Sequence, residues 1–180
     1  INVGRAYTDK RDYERAIEAY RNFLRTYPGE NESYVSGVRE EIASAYSRKG
    51  IDAENRGEID EAIQAHKEAL NWNDEGGLSW YNLGNAYRKG GLLEEAVEAY
   101  RNSLARDTSS PTTYNNLGLT YNDLSRPLEA LQVFEEGLQV GQTEPILHYN
   151  IGNSLAMLER MKEAERAFER FRSEWQGGAH

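Results

Sequence analysis

Four glycines divide this chain into equal intervals: Gly50, Gly84, Gly118 and Gly152 stand 34 residues apart. The same interval relates Ala62, Ala96, Ala130 and Ala164, and it relates Tyr46, Trp80, Tyr114 and His148. Further columns share it: Ala53, Tyr87, Tyr121, Leu155; His66, Tyr100, Phe134, Phe168; and Leu70, Leu104, Leu138, Arg172. A fixed period of this length makes each interval one supersecondary unit. Within the third unit, Trp80, Leu83, Gly84 and Tyr87 recur at the three-to-four spacing of one helical face. Ala96, Tyr100 and Leu104 do the same after the break at Gly90-Gly91, which predicts a helical hairpin. Small Gly84 and Ala96 fall where two helices must approach closely, and the bulk of Trp80, Tyr87 and Tyr100 fills the space around that contact. One such hairpin cannot bury its apolar face alone, so neighbours must stack.

Trp80-x-x-Leu83-Gly84-x-x-Tyr87, followed by Ala96-x-x-x-Tyr100-x-x-x-Leu104, resembles the tetratricopeptide repeat. The resemblance reaches residues 1–30, where Gly4, Tyr7, Ala16, Tyr20, Leu24 and Pro28 fill the same columns. It implies an all-α, right-handed superhelical solenoid of about five antiparallel helix-turn-helix units, the first truncated. The expected array is a single one over 1–180, with units near 1–30, 31–76, 77–110, 111–144 and 145–176 and a tail at 177–180. The family's end-of-repeat proline is present as Pro28, with Thr108 and Gln142 in its place later. Because the first unit lacks the start of its first helix, the chain is read as cut from a longer protein, or as a mature chain that needs another cap. The first hairpin, Tyr13-Glu14-Arg15-Ala16-Ile17 through Phe23-Leu24-x-x-Tyr27-Pro28, is also similar to repeats of bacterial envelope assembly lipoproteins, which points toward a bacterial source.

Two places break the period. Gly4 and Gly50 are 46 residues apart, 12 more than the period, and the additional segment is roughly Asn31 to Ile42. Tyr34, Val35, Val38 and Ile42 keep one apolar face, predicting a single long helix over 33–56. Its first turns either pack back on the first hairpin or present a partner patch. A competing register shifted by seven residues uses Ile42, Ala43, Tyr46 and Gly50 as the motif, and two turns of shift bury the same face. At the other end Arg172 replaces the leucine column in a helix still carrying Phe168, Phe171 and Trp175. With Arg160, Lys162, Arg166 and Arg170 this reads as a polar capping helix that ends the array.

Composition narrows the partner. With 38% hydrophobic and 11% aromatic residues the chain has enough apolar material to fold. Its 21 Lys+Arg against 30 Asp+Glu give a net charge of −9, which argues against nucleic acid and anionic lipid. The absence of cysteine removes disulfides and thiolate chemistry, and leaves cytosol and bacterial periplasm both open. No stretch approaches the roughly 18 apolar residues of a membrane span, so direct membrane insertion is not expected.

In the tetratricopeptide family the first helices of the hairpins line a concave groove, so the resemblance implies a protein or extended peptide as partner. The matching positions on the exposed side of the early first helices are Arg5, Ser47 and Ile51. In the third unit they are Tyr81, Asn82, Asn85, Arg88 and Lys89, in the fourth Asn115, Asn116, Leu119 and Asn122, and in the fifth Tyr149, Asn150 and Asn153. Carboxylates are scarce among them and lie mostly on the second helices, as Glu94, Glu95, Glu98, Glu135, Glu136, Glu163 and Glu169. Asn2, Asn82, Asn116 and Asn150 occupy equivalent places, a partial amide ladder interrupted by Arg48. An amide offers donor and acceptor, so evenly spaced amides can pair with an extended backbone of any sequence. Asparagine is also common there in ordinary repeats of this type. The family's carboxylate clamp for chaperone tails is not expected, because Tyr81 and Tyr149 stand where a clamp lysine would be.

Catalytic or metal chemistry is not expected either, and no cofactor is implied. His66 and His148 fall in packing columns, and no triad or metal cluster is visible. Asp52-x-Glu54-x-Arg56-Gly57 has the outline of a calcium loop, but Arg56 replaces an oxygen ligand and Ile63 the final carboxylate. The alternative to a binding scaffold is a structural self-assembly module, a homo-oligomer stacking through its terminal hairpins.

Overall fold

The computed structural model describes residues 2–27, 29, 31–141 and 144–177. Pro28, Gln142 and residues 178–180, on which parts of the boundary and tail reading fall, lie outside the described residues. The described residues form ten helices. They divide into two compact units, residues 1–90 and 91–180. The first holds α1 (Asn2–Asp9), α2 (Tyr13–Thr26), α3 (Glu32–Arg56), α4 (Ile59–Trp72) and α5 (Gly77–Lys89). The second holds α6 (Leu93–Arg106), α7 (Pro111–Asp123), α8 (Pro127–Val140), α9 (Pro145–Met157) and α10 (Met161–Gly177). No helix among the described residues is long and apolar enough to cross a membrane.

The small-against-large columns are the hairpin contacts. A Cβ added to Gly4 would lie 2.5 Å from the Tyr20 ring, one on Gly50 2.5 Å from His66, and one on Gly152 2.5 Å from Phe168. Gly118 meets Phe134 in the same way. Each pair is 16 residues apart, so one geometry recurs in both units. It also resolves the register of the long helix: Gly50 holds the close-contact place against His66.

The turns share a second column. Seven residues after the contact glycines the backbone is left-handed, at Arg11 (φ 58°), Gly57 (φ 79°), Gly91 (φ 75°), Ser125 (φ 58°) and Glu159 (φ 60°). The following amide then reaches back to close the first helix: Asp12 N–H donates to Tyr7 O at 3.0 Å, Glu58 to Ala53 at 2.9 Å, Arg126 to Tyr121 at 2.8 Å and Arg160 to Leu155 at 2.9 Å. This is the αL helix end that glycine adopts without steric cost, and three side chains here bear that cost.

The insertion makes α3 one helix of 25 residues, started by Asn31, whose side chain accepts from Tyr34 N–H at 3.3 Å. Val38 and Ile42 are buried in one cluster with Ala16, Ile17, Tyr20 and Ala45. Burial of this kind is worth about 1.5–3 kcal/mol per large aliphatic side chain. Tyr34 remains 49% exposed, its ring against Tyr27 and Phe23 with centroids 5.7 and 5.9 Å away. The extra turns therefore pack back on α2, and only their first turn stays open. In α10, Ala164 and Ala167 are buried, whereas Arg172 is exposed and Trp175 is 65% exposed. The helix continues through Gly177, where a loose tail was expected to begin.

Candidate functional site

The first helices of unit 2 place a set of amides against one another. Asn150 on α9 donates through Nδ2 to Asn115 Oδ1 on α7 at 2.7 Å, and Asn115 Nδ2 donates to Asn116 Oδ1 at 3.3 Å. A second link joins the same helices: Asn122 Nδ2 donates to Ser154 Oγ at 2.9 Å, and the Ser154 hydroxyl turns back to the carbonyl of Asn150 at 3.0 Å. These bonds lock side-chain rotamers along one face. Asn115, Asn116, Leu119, Asn122 and Asn153 are half-buried. Tyr149 is 41% exposed, its ring against Phe168 and Phe171 with centroids 5.7 and 5.4 Å away.

The expectation that Asn150 lies on the exposed side is corrected by this arrangement, since the residue is only 4% exposed. Position 150 faces back onto α7, where its amide serves the contact between first helices. The more accessible part of the ladder in unit 2 is the half-buried Asn116, with the half-buried Asn153 one turn beyond Asn150.

Unit 1 builds the corresponding face from charge. Arg5 is exposed and paired with Glu41, at 2.8 Å from Nε, and Glu41 also accepts from the buried Tyr20 hydroxyl at 3.3 Å. Lys89 Nζ reaches Glu54 at 2.5 Å, and Glu54 accepts as well from His66 Nε2 at 3.0 Å. His66 is fully buried and its Nδ1 has no partner among the described residues, so the ring is held there through Nε2. Burial works to raise the Glu54 pKa, but the hydrogen bonds from His66 and Lys89 and the Lys89 charge outweigh it and hold the carboxyl below its ordinary value. Tyr81, Asn82, Asn85 and Arg88 are half-buried on α5, while Arg48 and Ile51 are exposed on α3.

The repeat columns, the hairpin contacts and the recurring turn agree with what known proteins show. The family model described as TPR repeat matches residues 84–125, and two tetratricopeptide repeat models match residues 112–143 and 1–33, together more than half of the chain. The chain belongs to the tetratricopeptide repeat family. No curated protein sequence matches it significantly. Among solved structures it is similar to MamA, with a TM-score of 0.74 and 20% identity over 99% of this chain and 98% of that one. It is similar to YrrB, described as a TPR protein with an unusual peptide-binding site, with a TM-score of 0.70 and 18% identity over 97% of this chain and 84% of that one. The Sgt2 TPR domain from Aspergillus fumigatus gives 0.60 and 21% identity over 69% and 82%. At these identities the likeness is one of fold.

In this tetratricopeptide repeat protein the residues singled out from the repeat pattern do not all have the same surroundings. Asn115, Asn116, Asn122 and Asn150 are brought together in unit 2, whereas Arg5 and Lys89 are engaged by carboxylates of α3. Those carboxylates, Glu41 and Glu54, and the hydroxyl of Ser154 were not among the expected residues. Ser154 had a signal, since Thr120 stands one period before it and its hydroxyl likewise donates to the carbonyl four residues back, Asn116 O at 2.7 Å. The calcium-loop outline dissolves: Asp52 accepts from the Tyr13 hydroxyl at 2.8 Å, and Glu54 serves His66 and Lys89.

Proposed function

We propose that this chain is a non-enzymatic scaffold that binds a protein or an extended peptide on the exposed faces of its first helices. The observation that carries the reading is the amide face of α7 and α9, where Asn115, Asn116, Asn122 and Asn153 are half-buried and Asn115 and Asn122 are tied to α9. Amides already fixed by Asn150 and Ser154 lose little rotamer freedom when a ligand arrives, so their hydrogen bonds to a peptide backbone are gained at low entropic cost. YrrB, the similar protein described with a peptide-binding site, supports the class of ligand. Tyr149 offers an aromatic surface beside the amides, and unit 1 offers a candidate face of its own in Tyr81, Asn82, Asn85 and Arg88, with Lys89 and Arg5 paired to carboxylates at its edge. The net charge of −9 disfavours a phosphate-backbone partner.

An array of extended peptides probed with the labelled chain tests this. Asn116→Ala with Asn153→Ala should weaken the peptides that bind by about tenfold or more, since each backbone hydrogen bond lost is worth about 0.5–1.5 kcal/mol net. The melting temperature should stay nearly unchanged. A double variant that binds like the parent would end the amide reading.

A second reading, self-assembly through the terminal hairpins, is favoured by one observation: Val3 on α1 is 62% exposed and Trp175 on α10 is 65% exposed. Light scattering over a hundredfold concentration range separates the two, a constant monomer mass disposing of the second.

A further inference from the structure

One column of unit 2 changes between neighbouring hairpins in a way that leaves space. Tyr121 on α7 is fully buried, and the guanidiniums of Arg101 and Arg126 stand over its ring, 5.7 and 4.8 Å from the centroid. One period later Leu155 replaces the tyrosine and Glu135 replaces Arg101. Arg160 replaces Arg126 and keeps the same pairing with the carboxylate three residues on, at 2.7 Å in both, but has no ring beneath it. A hollow of about 230 Å3 results, with Leu138, Ile151, Leu155 and Ala167 among its lining.

The cations reappear on the opposite wall. Arg166 and Arg170, one turn apart on α10, line the hollow where Gln132 and Glu136 stand one period earlier. Both are exposed, and neither makes an ion pair among the described residues. Of the carboxylates nearby, Glu163 is engaged by Arg160 and Glu174 by His148 at 3.2 Å, while Glu135 stands on the α8 side. An engineered apolar cavity of about 150 Å3 admits a benzene ring, so this volume admits an aromatic side chain. The chain itself shows what fills the column one period earlier: a tyrosine ring under guanidinium groups, which the ring face attracts.

We propose that this hollow is a docking site for an aromatic side chain of a partner protein, flanked by an acidic residue that meets Arg166 and Arg170. The proposal rests on the reading of the chain as a protein-binding scaffold, but it uses a different face from the amides of α7 and α9. Glu135 sets the polarity, since an acid is repelled on the α8 side and attracted on the α10 side.

The test is a titration of the full chain, with labelled leucine and isoleucine methyl groups, by a blocked peptide carrying phenylalanine between two glutamates. Its counterpart with alanine in place of phenylalanine serves as control. The methyl resonances of Leu138, Ile151 and Leu155 should shift and saturate with the first peptide alone. Leu155→Tyr, which supplies the ring from within as Tyr121 does, should abolish the response. Arg166→Gln with Arg170→Gln, which removes the charges without setting like charges one turn apart, should weaken binding by about tenfold while leaving the melting temperature nearly unchanged. Equal shifts with the alanine peptide, no shift up to about 5 mM, or undiminished binding by the double arginine variant would overturn the proposal. Shifts confined to the side-chain amides of Asn116 and Asn153 would overturn it while leaving the amide-face reading intact.

Discussion

Glu54 in unit 1 and Asn122 in unit 2 occupy the same repeat column, yet they tie their helices together by different means. Glu54 gathers a buried histidine and a lysine from α4 and α5, and Asn122 makes a neutral link to Ser154 on α9. The fold tolerates both because the column lies between adjacent helices and asks only that a polar group find a partner. The consequence differs: a buried carboxylate depends on its counterion and on pH, while an amide–hydroxyl pair does not.

The largest expected effect tests what the two units share. Gly50→Leu and Gly118→Leu each drive a side chain into the ring of a packed residue, His66 in unit 1 and Phe134 in unit 2. Overpacking typically costs about 1–3 kcal/mol, and these contacts belong at or above the top of that range because helix backbones must separate. Denaturant melts of the two variants should show comparable losses. A mild effect in one unit would mean that the contact column does not bear equally on both.

Removing the polar link should expose the contrast. Glu54→Ala leaves His66 with neither ring nitrogen paired inside the core, at a cost of about 1–3 kcal/mol, whereas Asn122→Ala should cost about 1 kcal/mol. The pH dependence has a definite sign. Because the folded pKa of Glu54 is depressed, the folded state binds fewer protons than the unfolded chain across the acid range. Its contribution is fully present above the ordinary carboxylate pKa and is lost as pH falls through the lower folded value. Hydrogen exchange should therefore show α3 and α4 losing protection in acid before α7 and α9, and Glu54→Gln should flatten that difference. Simultaneous loss in both units would contradict the assignment.

Asn150→Ala separates structural amides from accessible ones. It strips the Asn115 acceptor of its donor at a buried place and should lower stability by about 1 kcal/mol, while Asn153→Ala should change it by less than about 0.5 kcal/mol. Equal melting temperatures would place Asn150 back on the accessible face. Effects similar to or smaller than that of Asn150→Ala belong to the turns. Ser125→Gly and Glu159→Gly should each stabilise by about 0.5–1 kcal/mol by relieving a left-handed backbone, and Gly57→Ala should cost a similar amount. A loss on Ser125→Gly would show that its side chain holds the turn in some other way.

Much of the fold was legible before any coordinates. The 34-residue interval marks the hairpins because each column of small residues needs a large one opposite it, and that requirement repeats with the structure. The long helix followed from an apolar face kept in phase from Tyr34 to Ile42. The candidate site was legible only in part. Asn116 and Asn150 are the same letter in the same column, yet Asn116 stays half-open and Asn150 is enclosed. Sequence spacing states which face of a helix a residue occupies, and it does not state how closely the next helix approaches that face.

That division extends to the whole molecule. The sequence by itself determined the all-helical fold, the hairpin contacts at Gly4, Gly118 and Gly152, and the lack of carboxylates at the expected groove positions, since these follow from periodicity and side-chain size along one chain. Only the tertiary structure decided that Lys89 answers to Glu54, that Asn150 locks Asn115, and that Leu155, Arg166 and Arg170 line one hollow. Each of these depends on what a neighbouring helix sets opposite a residue, at distances of a few ångströms that no repeat period encodes.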